Sequence, residues 1–230
     1  MHALLGGRDN TYGEMHKKAM ATAIKHLLYR PMLPNKEDIL FTGTVLSNGA
    51  GIIDLAPESQ HLACFTGGMF ALGGRLLDLP EHVVIGEKLA RGCAWAYSAM
   101  PTGIMPEISD LIACTTPDLG PCEWNQTRWE KSRWDQDINV KGFRSYRDKR
   151  YILRPEAIES IFVLYRITGK KDLLDIAWTM FEAIKKATET EHAHSAIWDV
   201  TRGGVPDKAD SMEVRPRPHW FRIDMDCPER

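Results

Sequence analysis

The sequence predicts an all-α protein assembled from helical hairpins, with a long insert of loop and β-hairpin between them. Three observations carry that expectation. Large apolar residues recur at helical spacing over 62–76, 80–101, 155–169 and from 172 to about 186. Proline and glycine stand at the ends of those stretches, where helices start and stop. Residues 105–150 are rich in proline, tryptophan and charge and keep no period. Two hairpins separated by such an insert suit an α-solenoid or an α/α barrel, and periodicity by itself does not choose between them.

Taken in order, Thr11-Tyr12-Gly13-Glu14 reads as a capping box, with Thr11 accepting from a first-turn amide while Glu14 reaches back. The helix it opens carries Met15, Ala19, Ile24, Leu27 and Leu28 and stops at Pro31 and Pro34. Ile39-Leu40-Phe41 and Gly51-Ile52-Ile53-Asp54-Leu55 are short apolar runs between turn residues and read as strand-like connectors. Leu62, Phe65, Met69, Leu72 and Leu76 step by 3, 4, 3 and 4, which predicts a helix burying one stripe of large side chains. Gly67, Gly68, Gly73 and Gly74 interrupt it. Each glycine costs about 1 kcal/mol relative to alanine, so this helix needs another backbone close against it. Pro80 opens its partner, with Ile85, Leu89, Cys93 and Ala96 inward and an end at Pro101-Thr102-Gly103. In the second hairpin Pro155 takes the first helical position, Ile158, Ile161, Phe162 and Tyr165 form the stripe, and Gly169 stops it. The last helix, from Asp172, turns Leu173, Ala177, Met180 and Ile184 inward and closes with Lys185 and Lys186 near its negative end. Residues 214–230 lose all period and are expected to be a disordered tail.

Composition narrows the function. The 230 residues are 43% hydrophobic and 26% charged with a net charge of −2, enough apolar content for one packed domain or at most two small ones. No run approaches the roughly 18 apolar residues of a membrane span. Charges are spread along the chain rather than gathered into a basic stripe, so nucleic acid is not an expected partner. Met1 to Arg8 has no basic region and too short an apolar run for a signal peptide. None of the five cysteines forms a C-x-x-C pair, and composition favours buried thiols. Asn125-Gln126-Thr127 is an N-glycosylation acceptor in a chain that enters the secretory pathway.

Arg154-Pro155-Glu156 followed by Glu159 is the densest polar constellation. On a helix Glu156 and Glu159 project from one face with Arg154 at its mouth, an arrangement suited to acid/base work, although first-turn glutamates are also favoured by the helix dipole. His61, at the start of the glycine-rich helix, reads by itself as a structural histidine. His192 and His194 read as solvated. Trp124, Trp129 and Trp134 could stack on sugar rings or anchor a loop, and Glu107 could be a capping acid.

Three motifs then carry a resemblance. His61-Leu62-Ala63-Cys64-Phe65-Thr66-Gly67-Gly68, Thr102-Gly103-Ile104-Met105-Pro106-Glu107 and Tyr151-Ile152-Leu153-Arg154-Pro155-Glu156-Ala157-Ile158-Glu159-Ser160 follow one another in the order and approximate spacing of the class I α-1,2-mannosidases, glycoside hydrolase family 47. The chain resembles that family from residue 1 to about Glu213, where Asp210-Ser211-Met212-Glu213 resembles the opening of a further motif. The resemblance implies a partial family domain over 1–213, an incomplete (α/α)7 barrel, and inverting hydrolysis of α-1,2-linked mannose from high-mannose N-glycans or mannose oligosaccharides. It also implies a calcium ion whose threonine ligand this chain lacks, so no residue here is assigned to metal.

Residue by residue, Glu156 resembles the general base. Arg154, Glu159 and His61 resemble substrate-binding residues of the pocket. Cys64 and Cys93 match the family's disulfide, which reverses the compositional preference for thiols, and Asn125 becomes a glycosylation site. The parent protein is expected in the secretory pathway, in the endoplasmic reticulum or Golgi or secreted. The family's catalytic acid and its last barrel helices fall outside the matched stretch, so the chain is expected to be truncated and inactive alone. The alternative is a non-catalytic module that binds high-mannose glycans, for example in quality control.

Overall fold

A computed structural model describes residues 2–47, 51–116 and 119–209. The expected tail over 214–230, the motif at Asp210-Ser211-Met212-Glu213 and Cys227 lie outside the described residues. Helices dominate. α1 spans Thr11–His26, α2 Phe65–Leu76, α3 Pro80–Ser98, α4 Gln126–Ser132, α5 Glu156–Thr168 and α6 Asp172–Thr188. The chain is not purely helical, because the connectors and the insert pair with one another. β1 (Leu28–Tyr29) pairs with β2 (Phe41–Thr42), and β3 (Thr44–Ser47) with β4 (Ile52–Ala56). β5 (Glu58–Gln60), β6 (Ile108–Leu111) and β7 (Phe143–Asp148) form a three-stranded antiparallel sheet in that order. The short apolar runs at 39–41 and 51–55 thus end in strands, as their turn-bounded pattern predicts.

Several local expectations change. Thr11 is the first helical residue of α1 rather than its cap. Asn10 holds the N-cap position in a helical conformation, the Thr11 amide donates to Asp9 Oδ1 at 2.8 Å, and Glu14 pairs with Lys17 at 3.0 Å instead of reaching back. An aspartate two residues upstream competes with the capping box and wins because its short side chain closes the turn locally. Pro155 is the N-cap of α5, one residue earlier than expected. His194 is half-buried, with Nδ1 at 2.8 Å from Thr188 Oγ1, rather than solvated; His192 is exposed. All four described cysteines are bridged, Cys64 to Cys93 and Cys114 to Cys122, so the compositional preference for thiols fails.

The largest correction concerns α2. Its regular stripe, Leu62, Phe65, Met69, Leu72 and Leu76, lies outward, each residue between 36% and 51% exposed. Gly67, Gly68, Phe70, Ala71 and Gly74 are buried instead. The reason is distance. α2 and α3 approach until a Cβ on Gly67 would lie 2.8 Å from the Ala90 amide nitrogen, and one on Gly86 would lie 2.6 Å from Gly67 O and 2.7 Å from the Ala71 amide. Only the glycine face admits that approach, and the packing it allows outweighs the burial of larger side chains elsewhere. Gly86→Ala is therefore expected to destabilise the fold by about 2 kcal/mol, because the added methyl meets backbone that cannot swing aside. In a thermal melt that is a fall of about 4–8 °C, and an unchanged midpoint would contradict the packing described.

α6 follows the sequence closely; α5 does so in part, since Ile158 and Ile161 are buried but Phe162 is exposed and Leu164 turns inward instead. Leu173, Ala177, Met180 and Ile184 are all buried, and Gly169 ends α5 in the left-handed conformation at φ 71°. The two hairpins meet through α2 and α5. Buried Ser160 Oγ accepts from the Gly68 amide at 2.9 Å and donates to Cys64 O at 2.7 Å. The Cys64–Cys93 bridge ties the same corner to α3. Among the described residues no helix is long and apolar enough to cross a membrane.

Candidate active site

The three-stranded sheet ends where the polar constellation begins. β5 runs into His61, Glu107 precedes β6, and β7 runs on through Arg150 toward α5. The ladder continues past the strands: the His61 amide donates to Glu107 O at 2.9 Å and the Glu107 amide to Arg150 O at 3.0 Å. One end of the sheet therefore sets His61, Glu107 and Arg150 side by side. Tyr151 then pairs with Ile197 through both backbone groups, at 2.9 Å each, and its hydroxyl donates to Arg154 O at 3.2 Å. Between them Leu153 takes φ 60°, a left-handed conformation that a branched residue seldom adopts. The surrounding bonds hold this strained residue in place, and it turns the chain sharply from the sheet into the first turn of α5.

That turn delivers Arg154 next to Glu107, with Glu156 and Glu159 following in the first turn of α5. Arg154 Nε donates to Glu107 Oε2 at 2.5 Å, while its Nη1 lies 3.8 Å from Glu156 Oε1. Glu107 also accepts from the Ile152 amide at 3.3 Å, and its Oε1 faces His61 Nδ1 at 3.6 Å. Burial alone would raise the Glu107 carboxyl, but the hydrogen bonds and charges of His61 and Arg154 outweigh it and hold the group below its ordinary range. Glu159, one turn into α5, is raised, first by partial burial and then by the charge of Glu156. Glu156 Oε2 is buried and accepts no hydrogen bond among the described residues.

His61 has no exposed surface. Its Nε2 lies 2.8 Å from Tyr97 Oη, and its ring packs between Tyr97 and Tyr151 at 5.3 and 5.5 Å between centroids. Burial raises both phenols well above their usual range, so they remain neutral hydrogen-bonding walls. The histidine thus stands behind Glu107 rather than at an open surface. The sequence had joined Arg154, Glu156 and Glu159 on spacing, and the structure brings them together. Glu107 is the member that residue-by-residue reading underrated. Its signal was its place in the Thr102 to Glu107 motif, whereas its role as the partner of Arg154 depends on a strand register.

The model of glycosyl hydrolase family 47 matches residues 1–214, a stretch that contains all the described residues. The chain belongs to that family. Over 206 residues it is 34% identical to a probable mannosyl-oligosaccharide α-1,2-mannosidase 1B of Aspergillus fumigatus, covering 90% of this chain and 37% of that protein. Over 210 residues it is 30% identical to a mannosyl-oligosaccharide α-1,2-mannosidase of Penicillium citrinum, covering 90% and 36%. Its fold is similar to a solved α-1,2-mannosidase from Trichoderma reesei, with a TM-score of 0.67 and 32% identity over 85% of this chain and 38% of that one. The chain thus spans little more than a third of the length of the relatives it matches.

Within this family 47 chain the tryptophans divide. Trp129 is buried, donates from Nε1 to Phe143 O at 2.9 Å and supports Trp124 at 5.8 Å, so both anchor the insert. Trp134 is exposed and flanked by the guanidinium groups of Arg144 and Arg147 at 4.8 and 5.3 Å. Asn125 is the exposed N-cap of α4, its Oδ1 accepting from the Arg128 amide at 2.8 Å. For a metal, the described residues offer no group of three or more His, Cys, Asp and Glu placed to hold an ion.

Proposed function

We propose that this chain carries the general-base wall of an inverting α-1,2-mannosidase pocket acting on high-mannose N-glycans or mannose oligosaccharides. The observation that carries the reading is Glu156, a carboxylate at the N-terminus of α5 whose buried Oε2 has no acceptor role filled among the described residues. In an inverting reaction one carboxylate takes a proton from water on the face opposite the departing oxygen, which a carboxylic acid protonates. Glu156 is the candidate for the first task. Arg154 positions it, clamped in turn by Glu107 and, through Glu107, by His61. Glu159, whose carboxyl keeps its proton to higher pH, is the candidate to meet a sugar hydroxyl beside it. The acid belongs to the part of the family domain outside the match.

The same reading places the helices in an (α/α)7 barrel. The outward stripe of α2 supports this, since large apolar side chains at helical spacing suit a face covered by neighbouring helices. Family 47 is generally calcium-dependent, and a calcium requirement belongs to the proposal with its ligands outside the described residues. Two disulfides support a secretory-pathway protein, and the exposed position of Asn125 suits glycosylation.

The test is hydrolysis of α-1,2-mannobiose followed by NMR of the released sugar. A protein carrying the complete family domain is expected to release β-mannose first, and residues 1–230 alone to release none. α-Mannose as the first product, or turnover by 1–230 alone, would overturn the reading. If 1–230 binds mannose oligosaccharides in calorimetry and the complete domain fails to hydrolyse them, the glycan-binding alternative replaces it.

A further inference from the structure

Between the two hairpins lies a cavity of about 600 Å³, a volume typical of small-molecule sites. It opens because α2 and α5 are drawn together at Gly68 and Ser160, while α3 and α6 touch sparingly and are bridged at one end by Arg91 Nη2 on Asp172 at 2.6 Å. None of Glu107, Arg154, Glu156, Glu159 or His61 lines it. Tyr97 separates the two regions, lining the cavity while its hydroxyl meets His61.

The walls select a chemistry. Trp95, Ile176 and Met180 supply apolar surface, and the Trp95 indole is held by Phe143 stacked at 5.3 Å and Phe41 edge-on at 6.2 Å. Glu37, Asp38 and Asp175 bring carboxylates to the same space. The neighbouring cations are already committed: Arg91 to Glu87 and Asp172, and both Lys88 and Arg30 to Asp38. The Asn35 amide donates to Glu37 Oε1, and Asp175 is exposed on α6, so these two carboxylates bring negative charge to a rim that Arg91 also lines. An anion would be repelled there.

We propose that this cavity binds an amphipathic organic cation, its ammonium at the Asp175 and Glu37 rim and its apolar body against Trp95 and Met180. The test titrates the full chain with 4-phenylbutylamine and with neutral 4-phenylbutan-1-ol, by calorimetry and by NMR. The amine is expected to bind about fivefold more tightly than the alcohol, and Asp175→Asn to remove most of that difference, as an exposed charge pair permits. Thr179→Trp, which fills the cavity from an exposed position of α6, is expected to abolish binding of both. Glu156→Gln is expected to leave it unchanged. No binding of the amine at millimolar concentration, equal affinity for the two probes, or binding that survives Thr179→Trp would overturn the proposal. Loss of binding in Glu156→Gln would assign the amine to the other pocket and overturn it equally.

Discussion

Glu156→Gln, in a protein carrying the complete family 47 domain, is expected to lower kcat by about 10²- to 10⁴-fold, the usual contribution of a general base. Glutamine keeps the size of the side chain and one acceptor oxygen, so bound sugar and water should still find their places. It cannot take a proton. KM should therefore move much less than kcat, which marks loss of an interaction made in the transition state. The melting temperature should hold, because the ion pair of Glu156 among the described residues is with Arg154 at 3.8 Å, and Arg154 is more tightly bound to Glu107. A kcat reduced less than about tenfold would remove Glu156 from the role of base. A large fall in melting temperature would mean that the loss of rate reports on folding.

The second large effect is expected at Glu107. Glu107→Gln leaves the Arg154 guanidinium beside a neutral amide in a mostly buried site, and breaking a buried pair from one side costs about 3–5 kcal/mol. For a chain of this length that lowers the melting midpoint by about 2–4 °C for each kcal/mol. The pH dependence gives an independent reading. The folded-state carboxyl is held below its ordinary value of 4.5, so its stabilisation is complete above that value and is lost as pH falls through the lowered folded-state value. Melts of the native chain should therefore weaken progressively below about pH 4.5, and the glutamine variant should lose less over the same interval. Parallel acid profiles for the two proteins would show that Glu107 titrates no differently folded and unfolded. In the complete domain the variant should also lower kcat, since Glu107 acts through Arg154.

Both expectations rest on residues whose legibility in the sequence differed. Glu156, Glu159 and Arg154 were legible because they are contiguous, and helical geometry alone puts them on one face. Glu107 lies 47 residues from Arg154, and its partner follows from how β6 pairs with β7, including the irregular register between Ile108 and Ser109. The insert read as loop and hairpin is two of the three strands that hold the site, with α4 between them. Its strands are short and flanked by tryptophan and charge, so no run was long enough to state a period.

Helices show the same division. Along α6 the apolar period, the terminal lysines and the preceding glycine all agree, and the buried residues are those the period names. Along α2 the period named Leu62, Phe65, Met69, Leu72 and Leu76, and the structure buried the opposite face. The sequence by itself determined the helices of the two hairpins and which carboxylates share a helix end, since these depend on neighbours within a few residues, but not α4 or the end of α1 at His26. Only the tertiary structure decided which face of α2 turns inward, that His61 stands behind Glu107, and that Arg154 is clamped across the sheet. Those outcomes depend on how closely two backbones approach and on how strands align, and such distances are written in no single segment.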